Sequence, residues 1–238
     1  MSTSHSMRRR APRTSLGENR LPPALAVVVA ALVYGVLPES LLVGPRYVIP
    51  AIELLLLAAL LMTNPRRMVR QTRWSRVVSI GLACLMIATN LAALGMLVTT
   101  LDSSSTDGVA LLVGGMQVWV TNVIGFGLLY WEIDRGGPVP RHTVARDRLA
   151  MADWRFSQDE NRDTVREVAA GSSERSDWRP GFIDYLYVSL TNSSAFSPTD
   201  TMPLTARAKA LMGLEASAAL LTSLLVVARA IGGLGSGG

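Results

Sequence analysis

The sequence predicts an all-α integral membrane protein with five transmembrane helices plus one re-entrant half-helix and pore loop. Three observations carry this. The chain of 238 residues is 49% hydrophobic and only 17% charged. Its apolar residues gather in blocks of membrane-crossing length. A short amphipathic stretch, Phe182–Ser194, leads into a hydroxyl-rich turn and then a further apolar block. Crossing ~30 Å of hydrocarbon takes about 20 apolar residues, because each helical residue rises ~1.5 Å.

The blocks follow in order. Leu21–Pro38 has 18 residues without a charge, and Tyr47–Thr63, the shortest, is apolar apart from Glu53. Val77–Leu101 and Gly108–Trp131 run 25 and 24 uncharged residues, and Ala210–Ala228 is uncharged except for Glu215. Several lack any polar face, which excludes soluble core helices. Leu21–Pro38 exceeds a signal-peptide apolar region, and no small-x-small cleavage site follows before Glu39, so it reads as a retained first span. Glu39–Arg46 and Asp102–Asp107 are short polar turns, so the first and second spans, and the third and fourth, form hairpins.

Charge sets the orientation. Arg8, Arg9, Arg10, Arg13 and Arg20 precede the first span, and Arg66, Arg67, Arg70, Arg73 and Arg76 separate the second from the third with no acid among them. Cytoplasmic positive-inside loops explain both clusters and place the N-terminus in the cytoplasm of a multi-pass protein of the cell membrane. Each cluster abuts a hydrophobic span, which argues against nucleic acid and for anionic lipid headgroups as neighbours. Cys84 is the single cysteine, so no intrachain disulfide forms, and His5 and His142 lie far apart with no metal-ligand cluster. No nucleophile elbow or acid–base constellation marks an enzyme, and no cofactor is expected.

The organisation expected is a disordered basic segment over 1–20, a three-helix membrane region over 21–101, a pore region over 102–231 and a flexible tail over 232–238. Within the pore region lie an outer helix at 108–131, a soluble loop at 132–180, the half-helix and loop at 182–205 and an inner helix at 206–231. The soluble loop holds nine arginines and nine acids between Ile133 and Pro180, with apolar residues too sparse for a core of its own. Surface helices over the channel mouth are expected there. The half-helix spans only ~20 Å. The polar backbone after it survives in lipid only if it is sheltered by protein or lines water.

Tyr185–Thr205 reads YLYVSLTNSSAFSPTDTMPLT. It resembles the pore helix, filter and inner-helix entry of potassium channels. Aligned without gaps, Ser189 falls on a common pore-helix Ser, and Asp200, Pro203 and Thr205 fall on the family's Asp, Pro and Thr. The filter departs: the family's T-V-G-Y-G is replaced by Ala195, Phe196, Ser197, Pro198 and Thr199. A potassium filter aims carbonyls inward along a backbone that its glycines permit. Here there is no glycine between Gly181 and Gly213, and Pro198 fixes its own φ. The resemblance implies a homo-oligomer, a tetramer, with residues 182–231 around an axis.

The pore and filter candidates are therefore Ser193, Ser194, Ala195, Phe196, Ser197, Pro198, Thr199 and Asp200, supported by Ser189, Pro203, Thr205 and Glu215. The hydroxyls either present oxygens to a partly hydrated ion or satisfy their own backbone. Asp200 either serves the pore or caps the turn. Glu215 must face protein or water, since burial against lipid costs ~2.5 kcal/mol or more. Glu53 is read as structural, close enough to its span's end to snorkel. Asn90, Gln117 and Asn122 are read as interhelical hydrogen-bonders, and Gly114, Gly115, Gly125 and Gly127 as close-packing positions. The expected function is a cation-permeable channel without conventional potassium selectivity. A non-conducting scaffold and a small proton-coupled transporter are the alternatives.

Overall fold

A computed structural model describes residues 17–63, 67–100, 108–160, 165–194 and 201–235. It opens on β1 (Glu18–Asn19), which pairs antiparallel with β2 (Arg67–Met68), the short strand between the second and third long helices. The end of the segment expected to be disordered is thus a strand tied into the fold. α1 (Leu21–Gly35) begins on Pro22 and Pro23, whose fixed φ suits a first helical turn. Its open C-terminal carbonyls are met by Arg46, which donates to Gly35 at 2.9 Å and Leu37 at 2.8 Å. That contact closes the reversal into α2 (Val48–Thr63).

Thr72 and Ser75 cap α3 (Arg73–Thr100) reciprocally, each side chain accepting the other's backbone N–H at 3.0 and 3.1 Å. α4 (Gly108–Ile133) follows and becomes the centre of the molecule, packed by α1 and α3 and by two later helices. The chain then turns sharply, with Arg135, Gly136 and Gly137 all at positive φ. At Gly137 a Cβ would stand 3.0 Å from the Glu132 carbonyl, so glycine is required there on both counts.

Among the described residues of 138–181 the elements are small: α5 (Pro138–Thr143), β3 (Trp154–Phe156), α6 (Arg166–Ala169), α7 (Ser173–Ser176) and two 3-10 turns. This segment does more than lie over a mouth. Trp154 is completely buried and Phe156 nearly so, their rings packed on Tyr130, Tyr185 and Trp178. It borrows the core of the long helices instead of building its own. α8 (Phe182–Ser193) comes next, then β4 (Thr201–Pro203), antiparallel to β3, and finally α9 (Ala206–Gly235).

Among the described residues three helices are long and apolar enough to cross a membrane: Arg73–Thr99, Val109–Gly136 and Ala206–Arg229. Leu21–Gly35 and Val48–Thr63 are shorter apolar helices. Close approach is bought with missing side chains, as expected. A Cβ on Gly114 would meet Leu41, one on Gly115 would meet Val226, and one on Gly125 would meet Ile87. Gly127 lies against the α8 backbone, 3.2 Å from Leu186 Cα.

Glu53 departs from its expectation. It does not snorkel; it is 2% exposed, and its Oε2 has no hydrogen-bond partner among the described residues. The reason is packing: α2 lies against both α1 and α3, and the Glu53 side chain is enclosed by that packing.

Candidate functional site: a polar node behind a short helix

α8 has 12 residues, about 18 Å of rise, too little to cross a bilayer core. Its contacts place it antiparallel along α4. Phe182 packs edge-on against Trp131, Leu186 against Gly127, Ser189 donates to the Val123 carbonyl at 2.8 Å, and the Ser193 carbonyl accepts from Trp119 Nε1 at 3.2 Å. α9 also runs antiparallel to α4. Arg207 lies at the Ile133 end, Glu215 beside Asn122 and Tyr130, and Val226 beside Gly115. α8 and α9 therefore start on the same side and point the same way.

Behind α8 lies a polar node centred on Glu215, which is 0% exposed. Its Oε2 accepts from Tyr130 Oη and from Asn192 Nδ2, both at 2.6 Å. Its Oε1 is bonded to Ser189 and lies 3.1 Å from Ser193 Oγ. Asn122 joins the helices: its Nδ2 reaches the Glu215 carbonyl at 3.3 Å and Ser193 Oγ at 3.4 Å, while its Oδ1 accepts from Asn90. Such a network is stable in a low-dielectric interior only when every member is satisfied. Ser189 sharpens the accounting. Its single hydroxyl proton has two acceptors in reach, Val123 and Glu215. Whenever that proton goes to Val123, only a protonated carboxyl completes the bond to Glu215.

The start of α9 is anchored by Asp153. Its carboxylate accepts from Thr205 Oγ1 at 2.5 Å and from Arg207 at 2.5 and 2.7 Å, and its carbonyl accepts from Leu204 N at 2.7 Å. Pro203 sits in β4 opposite Trp154, and Thr205 Oγ1 also caps α9 by accepting Ala208 N at 3.2 Å. Asp134 holds Asp153 N at 2.6 Å and accepts from Tyr185 Oη. One acid pair thus fixes both the start of α8 and the start of α9.

No protein-family model, curated protein or solved structure matches the chain.

The N-terminus of α8 is clamped by Glu18 of β1. Its Oε1 accepts Phe182 N at 2.6 Å and Trp131 Nε1 at 3.0 Å; Arg141 and His142 lie 3.5 and 3.4 Å from Oε2. Burial opposes ionisation of Glu18, but the His142 hydrogen bond, the Arg141 charge and the Trp131 bond outweigh it. Its carboxyl is held below the usual range. Arg141, fully buried, also lies 4.8 Å over the Tyr185 ring and donates to the Trp131 and Asp134 carbonyls at 3.1 Å.

Of the residues singled out in sequence, Ser189, Ser193 and Glu215 come together in the node, whereas Pro203 and Thr205 belong to the anchor at Asp153. Ser194 bonds its own helix, at the Leu190 carbonyl, 2.7 Å. Ala195, Phe196, Ser197, Pro198, Thr199 and Asp200 lie outside the described residues. Asn90 and Asn122 hydrogen-bond across helices, while the Gln117 Oε1 has no such partner among the described residues. Sequence reasoning missed Tyr130, Asn192, Asp134, Asp153, Glu18 and Arg141. A tyrosine at the end of a span reads as an interfacial anchor, and mixed-charge loop residues read as solvated. Asn192 alone gave a signal, as an amide on the apolar side of a half-helix.

Proposed function

We propose that this chain is one subunit of an oligomeric ion channel with potassium-channel-like architecture, cation-permeable but not conventionally potassium-selective. One observation carries the reading. A helix too short to cross lies parallel to α9 and antiparallel to α4, and its hydroxyl-bearing end stops beside Trp119 and Asn122, deep along α4. In a five-span arrangement α8 is the re-entrant half-helix, α4 the outer helix and α9 the inner helix, and the filter is the segment 195–200. Four copies around an axis shelter its polar backbone and leave a wet opening. Glu215 then supports the loop from behind, since its carboxyl is enclosed by α4, α8 and α9. Cation preference falls to Asp200.

The half-helix enters from the arginine-rich side. Arg76 donates to the Gly136 carbonyl at 2.6 Å, which puts the start of α3 beside the end of α4, where α8 and α9 begin. By the positive-inside rule this side is cytoplasmic, along with the N-terminus, so the pore loop is inverted relative to potassium channels.

Purified protein in planar bilayers tests the reading. The channel reading expects unitary cation currents, and Asp200→Asn is expected to lower cation preference or conductance. Unchanged permeation in that variant removes Asp200 from the mechanism. A second reading, a proton-coupled transporter, is favoured by Glu53, a buried carboxyl with an oxygen that no described residue satisfies. It expects proton-dependent flux without unitary steps. Silence in both assays leaves a membrane scaffold.

A further inference from the structure

The first turn of α8 closes around one carboxylate, which arrives from 164 positions earlier in the chain, on Glu18. Four polar groups from three helices meet it. Phe182 N, the first amide of α8, lies 2.6 Å from Oε1, and Trp131 Nε1 of α4 lies 3.0 Å from both oxygens. Arg141 Nη2 and His142 Nε2 of α5 lie 3.5 and 3.4 Å from Oε2. The Glu18 side chain is 11% exposed and that of Arg141 0%, and the Arg141 Nε has no partner among the described residues. A guanidinium so deeply buried favours an anion within reach. The strand that brings the anion is slight: β1 has two residues, paired to Met68 and Arg67 of β2.

We propose that this pocket is a binding seat for a singly charged carboxylate, and that β1 carries the chain's own ligand for it. Shape selects the ligand. The polar groups divide between the two oxygens of one planar fork, Phe182 N on Oε1, Arg141 and His142 on Oε2, and Trp131 between them. Gly181 keeps the approach open, because a Cβ there would crowd Oε1 at 3.2 Å. Charge agrees. Asp184, whose Oδ2 accepts Gly181 N at 2.7 Å, sets a second acid within electrostatic reach of Glu18, and it opposes a doubly charged sulfate or phosphate. The tether supplies the rest. A ligand carried on the chain is present at high effective concentration, so a free carboxylate enters only where Glu18 is gone.

The seat does not depend on conduction, and its test reads melting and amide exchange, not current. Glu18→Ala removes the fork, and formate carries the three heavy atoms of the missing carboxyl. Formate is expected to raise the melting temperature of Glu18→Ala saturably, the folded-to-unfolded ratio growing about elevenfold at ten times its dissociation constant. Sulfate at matched ionic strength is expected to do less. Glu18→Gln, whose amide fills the seat, is expected to respond to formate no more than the wild type. Amide exchange gives the local reading: Glu18→Ala speeds it in the first turn of α8 and formate restores it there, whereas a general loss of stability moves α8 and α9 together. If Glu18→Ala folds too poorly to melt, its yield when purified with and without formate replaces the melting curve, and a higher yield with formate is expected. No formate effect, one matched by sulfate or by Glu18→Gln, equal yields, or exchange at α8 that formate leaves unchanged would each overturn the proposal.

Discussion

Glu215 interrupts the otherwise uncharged stretch Ala210–Ala228 of α9, and four side chains from α4 and α8 converge on it. Removing it strands donors that have no water to turn to, at about 1–3 kcal/mol for each group left unpaired. Glu215→Leu is therefore expected to lower stability by at least about 2 kcal/mol. Glu215→Gln keeps the shape, and its amide N–H can replace the proton that Ser189 lacks when bonded to Val123. It is expected to melt close to the wild type, and equal losses in the two variants would contradict the network. Glu18 gives a pH signature. Its folded pKa lies below its ordinary value of 4.5, so its contribution is complete above that pH and fades as pH falls through the lower folded value. The wild type is expected to lose melting temperature below about pH 4.5, and Glu18→Gln to lose less over the same range. At this scale the sequence singled out the acid and two of the side chains that meet it, Ser189 and Ser193, but not that they meet. Glu215 and Ser189 stand out chemically in a hydrophobic stretch, whereas Tyr130 and Glu18 acquire meaning only once distant segments meet.

Elements were more legible. Uncharged length located every long helix, because the cost of burying charge in lipid leaves few exceptions. α8 starts just after Pro180 and Gly181, and Asp184 of its first turn accepts Gly181 N at 2.7 Å. The small β-ribbons were not legible. β3 and β4 contain three residues each, and their pairing depends on Asp153 bridging to Thr205 and Arg207 far along the chain. The glycines of α4 offer a test of element packing. At Gly115 an added Cβ would stand 2.4 Å from Val226 Cγ2, a stiff β-branched side chain. Gly115→Ala is expected to cost about 1–3 kcal/mol, and Val226→Ala in the same chain to restore part of it. Additive losses would mean that α4 and α9 do not meet as described.

At the scale of the whole molecule, the chain divides its polar chemistry into two layers. The node at Glu215 lies deep, behind the end of α8. The ionic layer of Glu18, Asp134, Arg141 and Asp153 lies at the helix ends, where it fastens the soluble segment and the N-terminal strand to the same frame. That frame holds the starts of α8 and α9. Composition announced apolar helices of membrane-crossing length, but it could not reveal how the 133–180 segment shares the core, because nine positive and nine negative charges cancel without saying which are buried. The most direct test of the conduction reading is a structure of the assembled protein in lipid. For a channel, Phe196–Asp200 from each subunit are expected to converge on a shared axis with hydrated space between them. An assembly in which those residues face away from any common centre would contradict it.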